Sequence, residues 1–147
     1  MLEKYRNEVW SCVENKCGFC REGCPIYEQL GFESSFSRGR MSIAWALLTK
    51  QLKYSQPLVE SIYKCATCGY CKVRCCLEPI DISEALRADL VKMGLAPLKP
   101  HRAVVESIAA KHNPWNFNRE EWPELVFKPV FGKAEALYFM GCSYTYV

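Results

Sequence analysis

The spacing of the cysteines constrains this chain of 147 residues more than any other feature. Cys12, Cys17, Cys20 and Cys24 form one bunch, Cys65, Cys68, Cys71, Cys75 and Cys76 form another, and Cys142 stands alone. Disulfide frameworks distribute their cysteines along a chain, whereas sites for soft metals gather them. The background is that of a globular domain: 50% of the residues are hydrophobic and 24% charged, so disorder is not the default. A net charge of +3, with Lys and Arg scattered, leaves no basic stripe to follow a phosphate backbone, which argues against nucleic acid as a partner. The first ten residues, MLEKYRNEVW, are charged, and no stretch approaches the ~20 apolar residues of a membrane span. We therefore expect a cytoplasmic protein, peripheral to a membrane only through a partner.

The second bunch, Cys65-Ala-Thr-Cys68-Gly-Tyr-Cys71-Lys-Val-Arg-Cys75, is C-x₂-C-x₂-C-x₃-C, the run that binds cubane iron–sulfur clusters. Each cube takes four thiolates, one per iron. Two-residue spacers let a tight turn set three sulfurs on one face, and the fourth cysteine, starting a helix that points away, ligates the other cluster. Gly69 suits a backbone that passes close to inorganic sulfur. The first bunch, Cys12-Val-Glu-Asn-Lys-Cys17-Gly-Phe-Cys20-Arg-Glu-Gly-Cys24-Pro25, keeps C-x₂-C-x₃-C-P but opens with a four-residue spacer. The regular position for its first ligand is Glu14. A longer loop delivering Cys12, a three-cysteine [3Fe–4S] site, and a carboxylate ligand are all compatible with that spacing.

Crossed ligation predicts one cluster on Cys12, Cys17, Cys20 and Cys75 and the other on Cys65, Cys68, Cys71 and Cys24. Cys76 occupies the place where such runs carry proline. It reads as a small buried hydrophobe or, by a shift of one place, as a substitute for Cys75. Structural zinc is the competing reading of paired C-x₂-C motifs, but zinc sites rarely show three cysteines in a C-x₂-C-x₂-C row with a fourth at x₃. Trp10, Trp45 and the nearby tyrosines read as packing.

Around the cysteines the patterning is helical. Residues 3–11 suggest a short helix, and GRMSIAWALLTKQL from Gly39 sets Ile43, Ala44, Leu47, Leu48 and Leu52 on one stripe. PLVESIYK, with Pro57 at its start, runs into Cys65. Asp81 and Glu84 suggest a capping box opening ISEALRADLVKM, with Ile82, Ala85, Leu86, Leu90 and Met93 inward and Gly94 closing it. HRAVVESIAAKH, opened by Pro100 and stopped by Asn113 and Pro114, turns Val104, Val105, Ile108 and Ala109 towards a core. Residues 113–133 read as an irregular linker, and AEALYFMG, ending at Gly141, as one short buried strand. The expected fold class is mainly α: an α-helical ferredoxin binding two [4Fe–4S] clusters, with a C-terminal linker and a single short strand.

The cysteine motifs, the forty helical residues between Cys24 and Cys65, and Cys24-Pro25-Ile26-Tyr27 together resemble the iron–sulfur domain of heterodisulfide reductase subunits. They resemble equally the C subunit of anaerobic glycerol-3-phosphate dehydrogenase and the iron–sulfur subunits of glycolate and lactate oxidation systems, and more distantly that of succinate dehydrogenase. His112-Asn113-Pro114 and Arg119-Glu120-Glu121-Trp122 are similar to the linker those families place after the cluster domain. LYFMGCSYTY, Leu137 to Tyr146, looks like the first strand and first cysteine of their cysteine-rich CCG domain.

The resemblance implies a cluster domain over 1–112, a linker over 113–133 and the start of a CCG-type domain over 134–147. It implies an electron-transfer role beside a flavin-containing or other redox subunit and a CCG-domain chain or subunit. Cys142 is present without any Cys-Cys-Gly motif, so the chain looks truncated or split and no catalytic residue is assigned within it.

Overall fold

The computed structural model describes residues 1–118, 132–136 and 141–146. These fall into two compact units, Met1–Leu98 and Lys99–Val147. All regular structure among the described residues is helical.

In the first unit a 3₁₀ turn at Leu2–Tyr5 leads into α1 (Arg6–Asn15), followed by α2 (Pro25–Leu30), a second 3₁₀ turn at Glu33–Ser35, α3 (Ser37–Leu48), α4 (Gln56–Tyr63), α5 (Tyr70–Arg74) and α6 (Pro79–Lys92). The core is the meeting of their apolar stripes. Val9 of α1, Met41, Ala44 and Leu47 of α3, Leu58, Val59 and Ile62 of α4, and Ile82, Leu86 and Leu90 of α6 form one buried cluster. Each fully buried Leu, Ile or Val contributes roughly 1.5–3 kcal/mol, so this cluster rather than any cap holds the helices together. Trp10 and Trp45 stack across α1 and α3 with ring centroids 4.6 Å apart, which is packing.

Several helix ends differ from expectation for identifiable reasons. The helix expected over 3–11 continues to Asn15 and so carries Cys12 on its last turn. The stripe of α3 stops at Leu48 because Lys50 turns left-handed at φ 60°, with the Gln51 N–H donating to the Ala46 carbonyl, so Leu52 lies beyond the helix. The Asp81–Glu84 capping box does not form. Pro79, placed by its fixed φ in the first turn, starts α6 three residues earlier with Glu78 as a cap that makes no side-chain capping bond. At the other end the Gly94 N–H donates to the Val91 carbonyl and the Leu95 N–H to that of Leu90, a Schellman closure that leaves Met93 outside the core and exposed.

The second unit contains α7 (Lys99–Lys111) and α8 (Gly141–Tyr146). Of α7 only Ser107 is buried, and Val104, Val105, Ile108 and Ala109, expected to face a core, are exposed. Periodicity marks an apolar face but cannot say whether that face is covered. After α7 the Asn113 side chain organises the turn. Its Oδ1 accepts from the backbone N–H groups of Trp115 and Phe117, and its Nδ2 donates to the carbonyls of Lys111 and Phe117. The Ser107 hydroxyl donates to the Asn113 carbonyl and accepts from the Asn116 N–H. The Asn-Pro signature is thus accounted for by local hydrogen bonding. Of the expected strand, residues 134–136 are irregular, Gly141 opens α8, and Leu137–Met140 lie outside the described residues, as does Arg119–Trp122.

Candidate metal centre

The first thiol set is built on a helix. Cys12 sits on the last turn of α1, and Lys16, left-handed at φ 52°, turns the chain back so that Cys17 and Cys20 follow within one short loop. The Cys12 thiol is pushed up to about 12, first by burial and then by the neighbouring thiols of Cys20, Cys75 and Cys17, against a smaller opposing pull from Arg38. Cys20 is raised as well, first by burial, with the Arg38 backbone N–H working the other way. The structure therefore brings Cys12, Cys17, Cys20 and Cys75 into one neighbourhood. Thiols gathered this closely cannot all ionise beside one another unless a positive group takes up the charge.

The second set is built at helix ends and on the short α5. Cys20, Cys24, Cys65, Cys68 and Cys71 border one solvent-open cavity. Cys65 directly follows α4, Cys71 lies on α5, and Cys24 is the N-cap of α2 with Pro25 at its first position. The Cys71 thiol is raised chiefly by burial, then lowered by a hydrogen bond from the Ser37 side chain, raised by Cys65 and lowered by Arg40. The Arg87 guanidinium donates to the Cys65 carbonyl at 2.6 Å and so holds the end of α4. Backbone N–H groups reach two of the sulfurs: Thr67 donates to Cys65 Sγ at 3.5 Å and Leu77 to Cys75 Sγ at 3.4 Å.

Glycine is required at two points in these loops. Gly69 caps α5 at φ 81°, a conformation L side chains avoid. Gly23 adopts φ 77°, and a Cβ there would meet the Tyr70 ring at 2.6 Å, so it lets the two cysteine loops touch. The motif's fourth cysteine behaves differently in the two runs. Cys24 starts a helix as expected, whereas Cys75 follows one, with α5 ending at Arg74 and Cys75 extended at φ −125°. Cys76, next along, is exposed rather than a buried hydrophobe. Cys142 belongs to the second unit, on α8.

Sequence reasoning missed the start of α3, which serves both sets. The Arg38 N–H faces Cys20, the Ser37 hydroxyl faces Cys71, and Arg40 lines the cavity while only 5% exposed. A signal was present: Ser-Arg-Gly-Arg puts two cations into the first turn of a helix, where the positive end of the macrodipole disfavours them.

All ten cysteines are free thiols. Among the described residues no three His, Cys, Asp or Glu side chains converge tightly enough to hold a single metal ion. The thiols border a shared space, which suits a multi-iron cube, since each of its irons takes its own cysteine. The buried Arg40 suits the same group, because a cube held by four thiolates is an anion.

Comparison with known proteins agrees with this geometry. Residues 8–78 match the 4Fe-4S dicluster domain, a domain that takes two [4Fe–4S] clusters. Across 95% of its length the chain is 26% identical to the D subunit of the dihydromethanophenazine:CoB–CoM heterodisulfide reductase of Methanosarcina barkeri and 27% identical to that of Methanosarcina mazei. It spans 38% of the length of each. Across 46% of its length it is 30% identical to a probable glycolate oxidase iron–sulfur subunit of Bacillus subtilis, covering 15% of that protein. No solved structure matches. Among the described residues no helix is long and apolar enough to cross a membrane.

Proposed function

We propose that this chain, whose residues 8–78 are a 4Fe-4S dicluster domain and which is homologous to the D subunit of heterodisulfide reductase, relays electrons within a multisubunit oxidoreductase. The observation that carries the reading is the pairing of the thiols. Each of two neighbourhoods gathers cysteines from both sequence motifs, with Cys75 joining the first and Cys24 the second. We assign Cys12, Cys17, Cys20 and Cys75 to one cluster and Cys24, Cys65, Cys68 and Cys71 to the other.

When bound, such clusters accept and return single electrons without breaking bonds. The protein's own contribution is to hold the thiolates and to exclude water on one side. Cys20 and Cys65 are buried against the core, while Cys17 and Cys68 are exposed, which leaves each set one face open to a partner. The N–H groups of Thr67 and Leu77 donate to the sulfurs of Cys65 and Cys75 and so help to orient them. Tying both motifs into both clusters makes residues 12–76 one rigid relay.

A flavin-containing or other redox subunit is the proposed electron donor, and a CCG-type domain, begun over residues 134–147 or supplied by another chain, the proposed acceptor. The domain division 1–112, 113–133 and 134–147 belongs to the same proposal. The test is a stoichiometric reduction of the anaerobically purified, loaded protein. Dithionite should bleach its broad absorbance with uptake of about two electrons per chain, one per cluster, and an oxidised dye should recover them. A colourless zinc protein, or a coloured one that takes up no electrons, would contradict the relay.

A further inference from the structure

We propose that Arg40 sets the cluster on Cys24, Cys65, Cys68 and Cys71 at the higher reduction potential of the two, so that an electron entering the domain comes to rest there. The inference rests on the ligand assignment above. Two arginines leave the first turn of α3, and their surroundings differ. The Arg38 side chain is 31% exposed and is paired with Glu33 at 3.6 Å, so water and a carboxylate blunt its field. Arg40 is 5% exposed. Its Nη1 donates to the Ser35 carbonyl at 2.9 Å, and among the described residues no carboxylate pairs with it. A guanidinium does not give up its proton, so this charge is permanently buried.

Such a charge is costly without an opposing one, and more so at the positive end of a helix. Two observations point to where the opposing charge belongs. Arg40 lines the cavity bordered by the second thiol set. The Ser35 carbonyl that accepts from Arg40 also accepts from the Cys24 thiol at 3.8 Å.

A cube on four thiolates is an anion, and reduction adds one electron to it from a low-potential donor with no bond made or broken. The attraction to Arg40 grows with that added charge, which raises the potential. One buried charge should change the one-electron equilibrium by at least about tenfold, since at an effective dielectric near 20 even a separation of roughly 12 Å gives that much, which is about 59 mV.

The experiment is a potentiometric titration of the full, loaded chain, read by electron paramagnetic resonance, on the parent and on Arg40→Gln and Arg40→Lys, with iron counted in each. The second cluster's signal is the one that Cys24→Ala abolishes. Iron-replete Arg40→Gln should lower that cluster's potential by at least about 59 mV and shift the first cluster less. Arg40→Lys, which keeps the charge, should stay near the parent, and it decides the matter if Arg40→Gln fails to load. An unmoved potential in iron-replete Arg40→Gln, equal shifts of both clusters, or a fall in Arg40→Lys as large as that of Arg40→Gln would overturn the role of Arg40 and leave the relay standing. A parent chain that does not hold two clusters would overturn the ligand assignment and this inference together.

Discussion

The two thiol sets of this domain rest on unlike supports. The first begins on a helix: Cys12 rides α1, whose Val9 is part of the core. The second gathers at helix ends and on α5, none of whose residues is buried, around an open cavity, with Cys68 exposed and a buried arginine behind it. The difference explains the irregular spacing of the first motif. In a C-x₂-C run both ligands lie in one turn, whereas here the four residues after Cys12 are the end of α1 and its left-handed stop at Lys16. The extra length therefore belongs to the helix end.

The strongest way to break the contrast is through Cys20, which neighbours Cys12 and also borders the second cavity. Cys20→Ala should cost the first cluster outright and weaken the second, leaving fewer than about four iron atoms per chain. An eight-iron Cys20→Ala protein would remove Cys20 from the ligands. Next in size is the crossed pair. Cys75→Ala and Cys24→Ala should each leave about four iron atoms, and the surviving signals should differ, since each cysteine serves the set that its own motif does not begin. Identical surviving spectra would dissolve the crossing.

Gly39→Ala should act on both sets alike. A Cβ at Gly39 collides with the Glu33 carbonyl oxygen, and relieving that contact moves the start of α3 away from Cys20 and Cys71 together. Overpacking of this kind costs about 3 kcal/mol, readable as a lower chemical-denaturation midpoint of the loaded protein. A midpoint unchanged from the parent would mean that the close fit at Gly39 is not needed. The smallest effect belongs to Cys76→Ala. Cys76 is exposed, and Cys75 rather than Cys76 stands among the thiols around Cys12, so iron content should be unchanged. Loss of iron there would exchange the roles of the two residues.

The sequence made the helical core legible because α3, α4 and α6 carry apolar residues at three- and four-residue intervals, and Ala44, Leu58, Ile62, Ile82 and Leu86 are all buried where periodicity put them. The iron–sulfur chemistry was equally legible, since ligand spacing in such motifs is set by covalent reach. Helix ends were less so. Asp81 matched a capping pattern, yet the fixed backbone of Pro79 began α6 earlier, and no side-chain cap was needed. The start of α3 was overlooked because Ser37, Arg38 and Arg40 look like a solvated turn until their burial is known. The exposed face of α7 shows the same limit from the other side.

The most direct test of the account is the content of the anaerobically purified chain: iron, acid-labile sulfide and zinc per polypeptide, with an electron paramagnetic resonance spectrum after dithionite reduction. Two clusters sharing one rigid domain predict about eight iron and about eight sulfide per chain, with a reduced signal broadened by coupling between them. Zinc in place of iron would contradict the account at its foundation.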